Sequence, residues 1–348
     1  MNNCSGCGDS RRIPKGFGML HLKFPTFHTK AKALSLLNSA NVELAEKNDL
    51  IAIEVQEEGL LSIVDLLDRP FTKIEANGIQ AYFEEQDRVS VFADVFEVRS
   101  LSTFIGLIQS QWLSELIESK SYTTYFQPIV HSMNPDDVLG YECLFRGLRG
   151  ESLIPPSDIF ETAKSAEIMP KVDLAARQSA IECAVRSQIG GKLFINFAPT
   201  AIYDPVNCLA TTIALLEKNQ IQPERVCFEI VETEKIADVA DLVTLCNFYR
   251  ARGFNIVLDD LGAGYSSLTL ITQLKPDYVK IDMELIRDVD TDSFKASYTK
   301  ALIDAAKRVG VQVICEGVET NGEYQWLRAH GADYVQGFYF GRPSATGR

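Results

Sequence analysis

Residues that can bind metal ions or transfer protons recur in the second two-thirds of this chain, each near the end of a short apolar segment. They are Glu142, Asn196, Glu229, Asp259, Asp260, Lys280, Glu316 and Gln336. Most of the intervals between them are close to the roughly 30 residues of one strand and one helix. A single carboxylate after a strand more often caps the next helix, so no member indicates a site alone. Their regular recurrence indicates that successive strands carry them to one place.

The elements that would position these residues form an alternation of short apolar and longer amphipathic segments from about residue 122. The predicted strands are YFQPIV, LGYECLFR, KLFINFA, RVCFEIVE, FNIVLDD, YVKID, VQVICEG and YVQGFYF. The predicted helices lie near 158–167, 171–188, 204–219, 236–252, 266–274, 293–309 and 321–330. Such alternation is typical of a parallel sheet, and this number of strands favours a closed barrel whose strand ends meet at one mouth. An open doubly wound sheet is the alternative.

The first two predicted strands depart from this alternation. Only HSMNPDDV separates them, which is too short for a crossover helix, so the pair is predicted to be antiparallel. The predicted fold class is therefore α/β: a modified TIM (β/α)8-type barrel with an antiparallel first strand, preceded by a small α+β domain.

Five carboxylates at one barrel mouth need positive charge nearby. A like-charge pair at about 5 Å costs roughly 3 kcal/mol at an effective dielectric near 20. Several such pairs would exceed what a domain with a net stability of about 5–15 kcal/mol tolerates. Lys280 alone cannot offset this repulsion, whereas divalent cations can.

The chemistry of the set indicates which cations would bind. Its ligands are oxygens, with no His or Cys at the strand ends, which favours Mg²⁺ or Mn²⁺, with Ca²⁺ also open, over zinc. More than four carboxylates suggest two ions, with Asp259 placed to bridge them. Two-metal sites promote in-line displacement at phosphorus, and Lys280 would then hold the attacking water or the developing charge.

From Tyr125 to Pro343 the sequence resembles the EAL domain, a family of bacterial cyclic di-GMP phosphodiesterases. The resemblance is carried, in order, by FQPIV, GYECLFR, INFAP, FEIVETE, VLDDLGAGYSSL, LKPDYVKID, VICEGVET and VQGFYFGRP. It implies hydrolysis of cyclic di-GMP to linear 5′-pGpG with Mg²⁺ or Mn²⁺, with two ions, Ca²⁺ as a candidate inhibitor and a homodimeric assembly.

The resemblance also implies a role for individual residues. The implied metal ligands are Glu142, Asn196, Glu229, Asp259, Asp260 and Glu316. The implied catalytic residues are Lys280 beside the attacking water, Glu316 as a general base, Gln336 as a water-positioning group, and Glu142. The implied substrate contacts are Gln127, Leu144, Arg146, Asp282 and Glu319. Glu232 resembles the residue that anchors the loop following Asp260.

Three motifs depart from the usual family pattern. Cys143 stands where the name-giving triplet has Ala, Leu261 stands where Phe is usual, and NFAP replaces the commoner NLSP. None of these changes removes a charged or ligating group, although Cys143 adds a candidate oxidation site.

Composition excludes several classes of protein. The chain has 348 residues and a formal net charge of −13, which argues against binding to a nucleic-acid polymer, because such binding needs a basic surface. No apolar run is long enough for a membrane span, and the first residues lack the apolar core of a secretory signal. A cytoplasmic location is therefore predicted, and the scattered cysteines are read as reduced core residues.

The first 120 residues have a different texture and resemble no family that can be named. Residues 1–15 are predicted to be a disordered tail, 16–120 an α+β regulatory or dimerisation domain, and 121–348 the barrel domain. The predicted strands of the first domain are GMLHLKF, LIAIEVQ, GIQAYFEE and RVSVFADVFEV, with helices near 29–46, 57–68 and 101–119, the last of which connects to the barrel. Incidental thiols are favoured for Cys4 and Cys7, and a zinc site with His21 and His28 is the alternative.

Three functions compete. An active cyclic di-GMP phosphodiesterase is favoured because the set of ligands is complete. A catalytically silent cyclic di-GMP receptor is the alternative, and binding without hydrolysis would indicate it. An enolase-like acid–base enzyme would also use metal-bound carboxylates and Lys280, although the order of the motifs argues against it.

Overall fold

The computed structural model describes residues 13–14, 17–56, 59–86, 97–150, 152–199, 205–231, 239–262 and 267–347. The chain divides into two compact units. Of the described residues, one unit takes those of Ser121–Pro156 and Pro170–Arg348, and the other takes those of Ser10–Lys120 and Ser157–Met169. A segment that lies inside the barrel region of the sequence therefore groups with the N-terminal unit.

The N-terminal unit contains an antiparallel sheet with helices. Its strands are β1 (Gly18–Lys23), β2 (Leu44–Lys47), β3 (Leu50–Val55), β4 (Gln80–Glu85) and β5 (Arg99–Ser100), in the spatial order β2-β3-β1-β4-β5. Its helices are α1 (Phe27–Ser39), α2 (Gly59–Asp68), α3 (Lys73–Gly78), α4 (Leu101–Gln109) and α5 (Gln111–Glu118). Alternate residues of the central strands, such as Leu20 and Leu22, are fully buried, which is the period expected of a sheet covered on one face. The predicted α+β domain is confirmed.

Two of the predicted helices have other bounds in the structure, and some of the predicted features cannot be compared with it. The helix predicted over 29–46 ends at Ser39, and Leu44–Lys47 forms strand β2. The helix predicted over 101–119 is interrupted at Ser110, whose hydroxyl donates to Leu107 O. Most of the strand predicted in RVSVFADVFEV, together with Cys4 and Cys7, lies outside the described residues.

The second unit is built from the remaining elements, apart from α6, most of which groups with the N-terminal unit. The strands are β6 (Tyr122–His131), β7 (Val138–Arg149), β8 (Ser152–Ile154), β9 (Lys192–Asn196), β10 (Val226–Val231), β11 (Asn255–Leu261), β12 (Tyr278–Ile281), β13 (Gln312–Cys315) and β14 (Tyr334–Gln336). The helices that follow β8 in the chain, including α6, are α6 (Pro156–Ser165), α7 (Met169–Arg186), α8 (Pro205–Lys218), α9 (Val239–Arg250), α10 (Ser267–Leu274), α11 (Met283–Ile286), α12 (Ser293–Arg308) and α13 (Asn321–Ala329). Strand β8 and helix α11 were not predicted.

Eight of these strands close into a barrel. They follow the order β6-β14-β13-β12-β11-β10-β9-β7, and β6 also pairs with β7. Strand β6 is antiparallel to both of its neighbours, whereas the other adjacent pairs are parallel. The predicted modified barrel is confirmed, and the open doubly wound sheet is wrong because a closed ring leaves no sheet edge.

An apolar layer fills the interior of the barrel. It consists of Ile129, Phe194, Cys227, Val257, Tyr278, Ile314 and Tyr334, all buried. The ring of Tyr278 lies 5.6 Å from that of Phe194 and 6.1 Å from that of Tyr334. Residues of the opposite strand faces, such as Phe228 and Leu258, belong to the separate core beneath the helices. Among the helices of the described residues, none combines the length and apolarity needed to span a membrane.

Candidate active site

The predicted polar residues form one layer at the carboxyl ends of the parallel barrel strands. Six of them lie two positions after a residue of the apolar layer, and the seventh, Glu142, lies opposite Gln127 of β6. The members are Glu142 on β7, Asn196 on β9, Glu229 on β10, Asp259 on β11, Lys280 on β12, Glu316 just after β13 and Gln336 on β14. Because side chains alternate along a strand, a residue two positions beyond an inward apolar side chain also points inward. The period of the strands therefore places this polar layer directly on the apolar one.

Lys280 lies at the centre of this layer. Its Nζ is 2.9 Å from Glu229 Oε1, 3.4 Å from Asp259 Oδ1 and 3.5 Å from Glu142 Oε2. It also forms a close ion pair with Glu316 Oε1. The lysine side chain is only 1% exposed. One buried cation thus faces four carboxylates.

The charge state of Lys280 follows from this environment. Burial by itself lowers the pKa of the ammonium, but the surrounding carboxylates, with Asp259 and Glu142 first, raise that pKa well above its usual value. Lys280 is therefore protonated at neutral pH and can donate hydrogen bonds, but it cannot act as a base.

Burial has the opposite effect on the pKa of the carboxylates. Burial raises the pKa of Glu229, Asp259 and Glu316, because the ionised form loses its hydration, and Lys280 only partly offsets this effect. Burial together with the charge of Asp259 raises the pKa of Asp260 to about 6. Negative charge in this layer is therefore undercompensated by the protein's own cation.

The adjacent Asp259 and Asp260 reach the same site through an irregularity of β11. The register between β11 and β12 shifts between Leu258 and Leu261. Asp260 has a positive φ of 57°, and its N–H donates to Asp259 Oδ1 at 2.9 Å. In a regular strand two consecutive side chains would point to opposite faces. Here ligand oxygens of Asp259, Asp260 and Glu316 lie within 4.8 Å of one another.

A hydrogen-bonded row of side chains borders the carboxylates on the β6 side. Gln336 Nε2 donates to Glu142 Oε2 at 2.6 Å and lies 3.3 Å from Gln127 Oε1. Gln127 Nε2 donates to Gly341 O at 3.3 Å. Asn196 Nδ2 lies 3.5 Å from Glu142 Oε1. These bonds fix the rotamer of Glu142 while leaving the amide oxygen of Gln336 without a partner among the described residues.

The other predicted site residues lie around this layer or apart from it. Leu144 and Arg146 share the inward face of β7 with Glu142, and the Arg146 guanidinium lies 5.9 Å from the ring of Tyr125. Asp282 caps helix α11 by accepting from Glu284 N–H, and Glu319 is exposed and paired with Arg287 at 3.1 Å. The structure shows neither acid in contact with Lys280. Glu232 and the loop at 263–266 lie outside the described residues.

Sequence reasoning missed two buried acids that hold the loops next to the polar layer. Asp173 on α7 accepts from Ala198 N–H in the loop after Asn196. Glu323 on α13 accepts from the N–H groups of Glu319 and Thr320 in the loop after Glu316. The signals were present, as an Asp–Arg pair at helical spacing and a Thr–Glu capping box, but both read as ordinary helix chemistry.

The suggested reactivity of Cys143 has no structural support. Its side chain is buried, and burial raises the pKa of the thiol well above its usual value. Since the thiolate is the species that oxidises, this cysteine is a small apolar core residue.

The residues of the polar layer fit one or more divalent cations. Glu229 is fully buried, its Oε2 has no partner among the described residues, and its Oε1 has only the ion pair with Lys280. An uncompensated buried carboxylate is costly unless it is paired or coordinates a metal. The donors are carboxylate and amide oxygens, which are the ligands preferred by Mg²⁺, Mn²⁺ and Ca²⁺.

Comparison with known proteins gives consistent results. Residues 110–343 match the EAL domain family. The probable cyclic di-GMP phosphodiesterase PdeB of Escherichia coli K12 is 28% identical over 235 residues, which is 66% of this chain and 44% of that protein. The probable cyclic di-GMP phosphodiesterase PdeG of the same organism is 28% identical over 239 residues, which is 66% of this chain and 46% of that protein. The chain therefore spans less than half the length of these two curated relatives.

A solved structure is similar over the same region. A standalone versatile EAL protein from Vibrio cholerae O395, in its cyclic di-GMP-bound form, is 33% identical with a TM-score of 0.59. The match covers 65% of this chain and 94% of that one.

Proposed function

The chain belongs to the EAL domain family, and from that premise we propose that it hydrolyses cyclic di-GMP to linear 5′-pGpG in a reaction that depends on divalent cations. The observation that carries the proposal is the complete layer of carboxylates around Lys280, in which the fully buried Glu229 shares this one cation with three other carboxylates. A barrel that had lost this activity would have little reason to keep so many mutually repelling groups.

The residues proposed to hold the cations are the oxygen donors of the polar layer. They are Glu142, Asn196, Glu229, Asp259, Asp260 and Glu316. Mg²⁺ or Mn²⁺ is proposed, with two ions, and Ca²⁺ is expected to occupy the site without supporting turnover. When bound, such ions lower the pKa of a water molecule and neutralise charge on a phosphate.

Protein groups then supply positioning and proton transfer. Lys280, held protonated by its neighbours, donates a hydrogen bond to the attacking water or to a phosphate oxygen. Glu316, whose pKa burial raises, accepts a proton from that water. The amide oxygen of Gln336, which has no partner among the described residues, accepts from the same water and orients it.

Substrate binding is proposed for the inward face of β6 and β7 beside Glu142. Arg146 offers a guanidinium that suits two phosphate oxygens at once. Leu144 lies between Glu142 and Arg146 on the same face of β7, and Gln127 lies opposite Glu142 on β6. Asp282 and Glu319, at the loops after β12 and β13, would contact the far part of the ligand. With a chain net charge of −13, such local cations must capture an anionic ligand.

The test is product formation by the full chain. We expect cyclic di-GMP to yield pGpG, measured by chromatography and mass spectrometry, with Mn²⁺ or Mg²⁺ but not with chelator. Glu142→Gln should lower turnover at least about a hundredfold, whereas Glu217→Gln, an exposed change on α8, should leave it unchanged. Binding of cyclic di-GMP without any pGpG would contradict the proposal and favour a receptor.

A further inference from the structure

A buried ion pair lies behind the polar layer, on a helix that contributes no residue to it. Asp173 and Arg177 are one turn apart on α7 and are 5% and 2% exposed. Nε and Nη2 of Arg177 both lie 2.9 Å from Asp173 Oδ2. The remaining arm of the guanidinium, Nη1, donates to Thr212 Oγ1 on α8 at 2.8 Å. Arg177 therefore links Asp173 on α7 to helix α8.

The second oxygen of Asp173 reaches the loop that follows β9. Asp173 Oδ1 accepts a hydrogen bond from Ala198 N–H at 3.2 Å. Ala198 is two residues after Asn196, the last residue of β9. The intervening Phe197 donates its N–H to Glu229 O at 3.0 Å. The backbone on the C-terminal side of Asn196 is thus held at two successive amides.

Stability alone does not account for such a pair. Replacing a buried ion pair by apolar residues of similar volume is often neutral or stabilising, whereas removing one partner is strongly destabilising. The hydrogen bonds of the pair indicate a different role, because the second oxygen of Asp173 accepts from the loop that follows Asn196. Groups that orient metal ligands from behind typically change metal affinity by 10–100-fold when they are lost.

We infer that Asp173, held by Arg177, is a positioning residue that fixes the direction of Asn196 toward the cation site through the amide of Ala198. This inference rests on the proposed function, since it assumes that Asn196 binds a cation. Asp173 itself contacts neither the carboxylates nor Lys280. Its effect therefore passes through the backbone of Phe197 and Ala198.

Two uncharged double variants separate this role from a merely structural one. D173N/R177Q keeps an amide oxygen that can accept from Ala198 N–H, whereas D173L/R177M has no acceptor. The two variants have similar volumes and neither leaves a lone buried charge. D173A/R177M removes the acceptor by leaving a cavity instead of a bulky side chain, so at least one acceptor-free protein should fold.

The primary readout is Mn²⁺ affinity of the full chain, by isothermal titration in the absence of substrate, with thermal unfolding in chelator as the control for folding. We expect D173N/R177Q to remain within about threefold of the wild-type affinity. We expect both acceptor-free variants to bind Mn²⁺ at least about tenfold more weakly at an unfolding temperature close to that of the wild type. Equal Mn²⁺ affinity in all folded variants would overturn the inference.

The same experiment distinguishes this inference from the proposed function. If the wild type binds Mn²⁺ but forms no pGpG, the proposed activity fails while the variant series still decides the positioning role. If the wild type binds no Mn²⁺, both are overturned. Where turnover is present, saturating Mn²⁺ should restore most of the turnover of D173L/R177M, because the loss lies in cation binding.

Discussion

At the scale of single residues, the site is defined by an imbalance of charge. Lys280 alone faces Glu142, Glu229, Asp259 and Glu316. If Lys280 only neutralised Asp282, it would lie beside that one acid. It lies instead among four other carboxylates. The excess negative charge costs stability in the cation-free protein and is the basis of the proposed affinity for cations.

Glu229 gives the sharpest test of this trade-off. Glu229→Gln replaces a fully buried carboxyl group, whose pKa is raised by burial, with a neutral amide of the same shape. We expect the cation-free variant to be about 1–2 kcal/mol more stable than the wild type and to lose the stabilisation by Mn²⁺. Chemical denaturation with chelator and with Mn²⁺ measures both effects. If the cation-free variant were less stable than the wild type, the protein's own groups would stabilise the Glu229 carboxylate without a bound cation.

Asp260 predicts a pH dependence of the same kind. Its pKa is raised from 3.8 to about 6, so the folded protein binds its proton more tightly than the unfolded chain does. Folding stability from this group is therefore greatest below pH 4 and declines as pH rises toward 6. We expect the difference in unfolding temperature between wild type and Asp260→Asn, measured in chelator, to move against the wild type from pH 4.5 to 7. A constant difference would contradict this assignment.

At the scale of elements, the irregular end of β11 brings two consecutive acids to one site. The register shift and the positive φ of Asp260 are followed by Gly262, whose φ is 102°. A Cβ at Gly262 would lie 2.4 Å from Leu285 Cδ1. The left-handed backbone conformation therefore favours glycine there, and a Cβ would also displace the tip of the Leu285 side chain.

Gly262→Ala tests whether this turn positions the metal ligands. We expect a loss of about 1–3 kcal/mol of stability from the left-handed conformation and the displaced Leu285, with the barrel still folded and with weaker Mn²⁺ binding and turnover. Gly190→Ala is the matched control, because a Cβ there meets nothing within 4 Å. If Gly262→Ala bound Mn²⁺ as tightly as the wild type, the turn would have no role in positioning the ligands. The effect of changing Glu232 stays a prediction.

Sequence patterns could predict most of the elements but not their irregularities. Strand alternation and the spacing of the polar residues were sufficient to place Glu142, Glu229 and Lys280 on one mouth. The LAEK segment of β2 has no apolar alternation, and its antiparallel neighbour β3 decides its conformation. The turn that directs Asp259 and Asp260 to one side depends on tertiary pairing with β12. Asp173 and Glu323 were missed because an Asp–Arg pair at helical spacing and a capping box are common in ordinary helices. The bond from Ala198 N–H to Asp173 also joins residues that are far apart in the chain.

At the scale of the whole molecule, the division into units does not follow the sequence order. Ser157–Met169 groups with the N-terminal unit, where a Cβ at Gly106 on α4 would lie 2.6 Å from Ser165 O. Thr103 Oγ1 also donates to Glu167 Oε1 at 3.3 Å. Regulation by the N-terminal unit and a homodimeric assembly stay predictions from the sequence.

A shortened chain tests whether the grouping of Ser157–Met169 with the N-terminal unit contributes to stability. We expect a protein that begins at Ser121 to unfold at a temperature several degrees below that of the full chain, because Ser157–Met169 would lose the unit to which it belongs. Thermal unfolding of both proteins in chelator measures this. An unchanged unfolding temperature would show that the barrel is complete without the N-terminal unit.

The central claim is that Lys280 and its carboxylates form a cation-dependent hydrolytic site. The most direct measurement is conversion of cyclic di-GMP to pGpG by the wild type, Lys280→Met and Lys300→Met, each with Mn²⁺ and with chelator. Lys300 is a half-exposed lysine on α12 paired with Asp304. We predict Mn²⁺-dependent turnover in the wild type and Lys300→Met and a loss of at least about a hundredfold in Lys280→Met. Equal turnover in all three proteins, or turnover that persists in chelator, would contradict the claim.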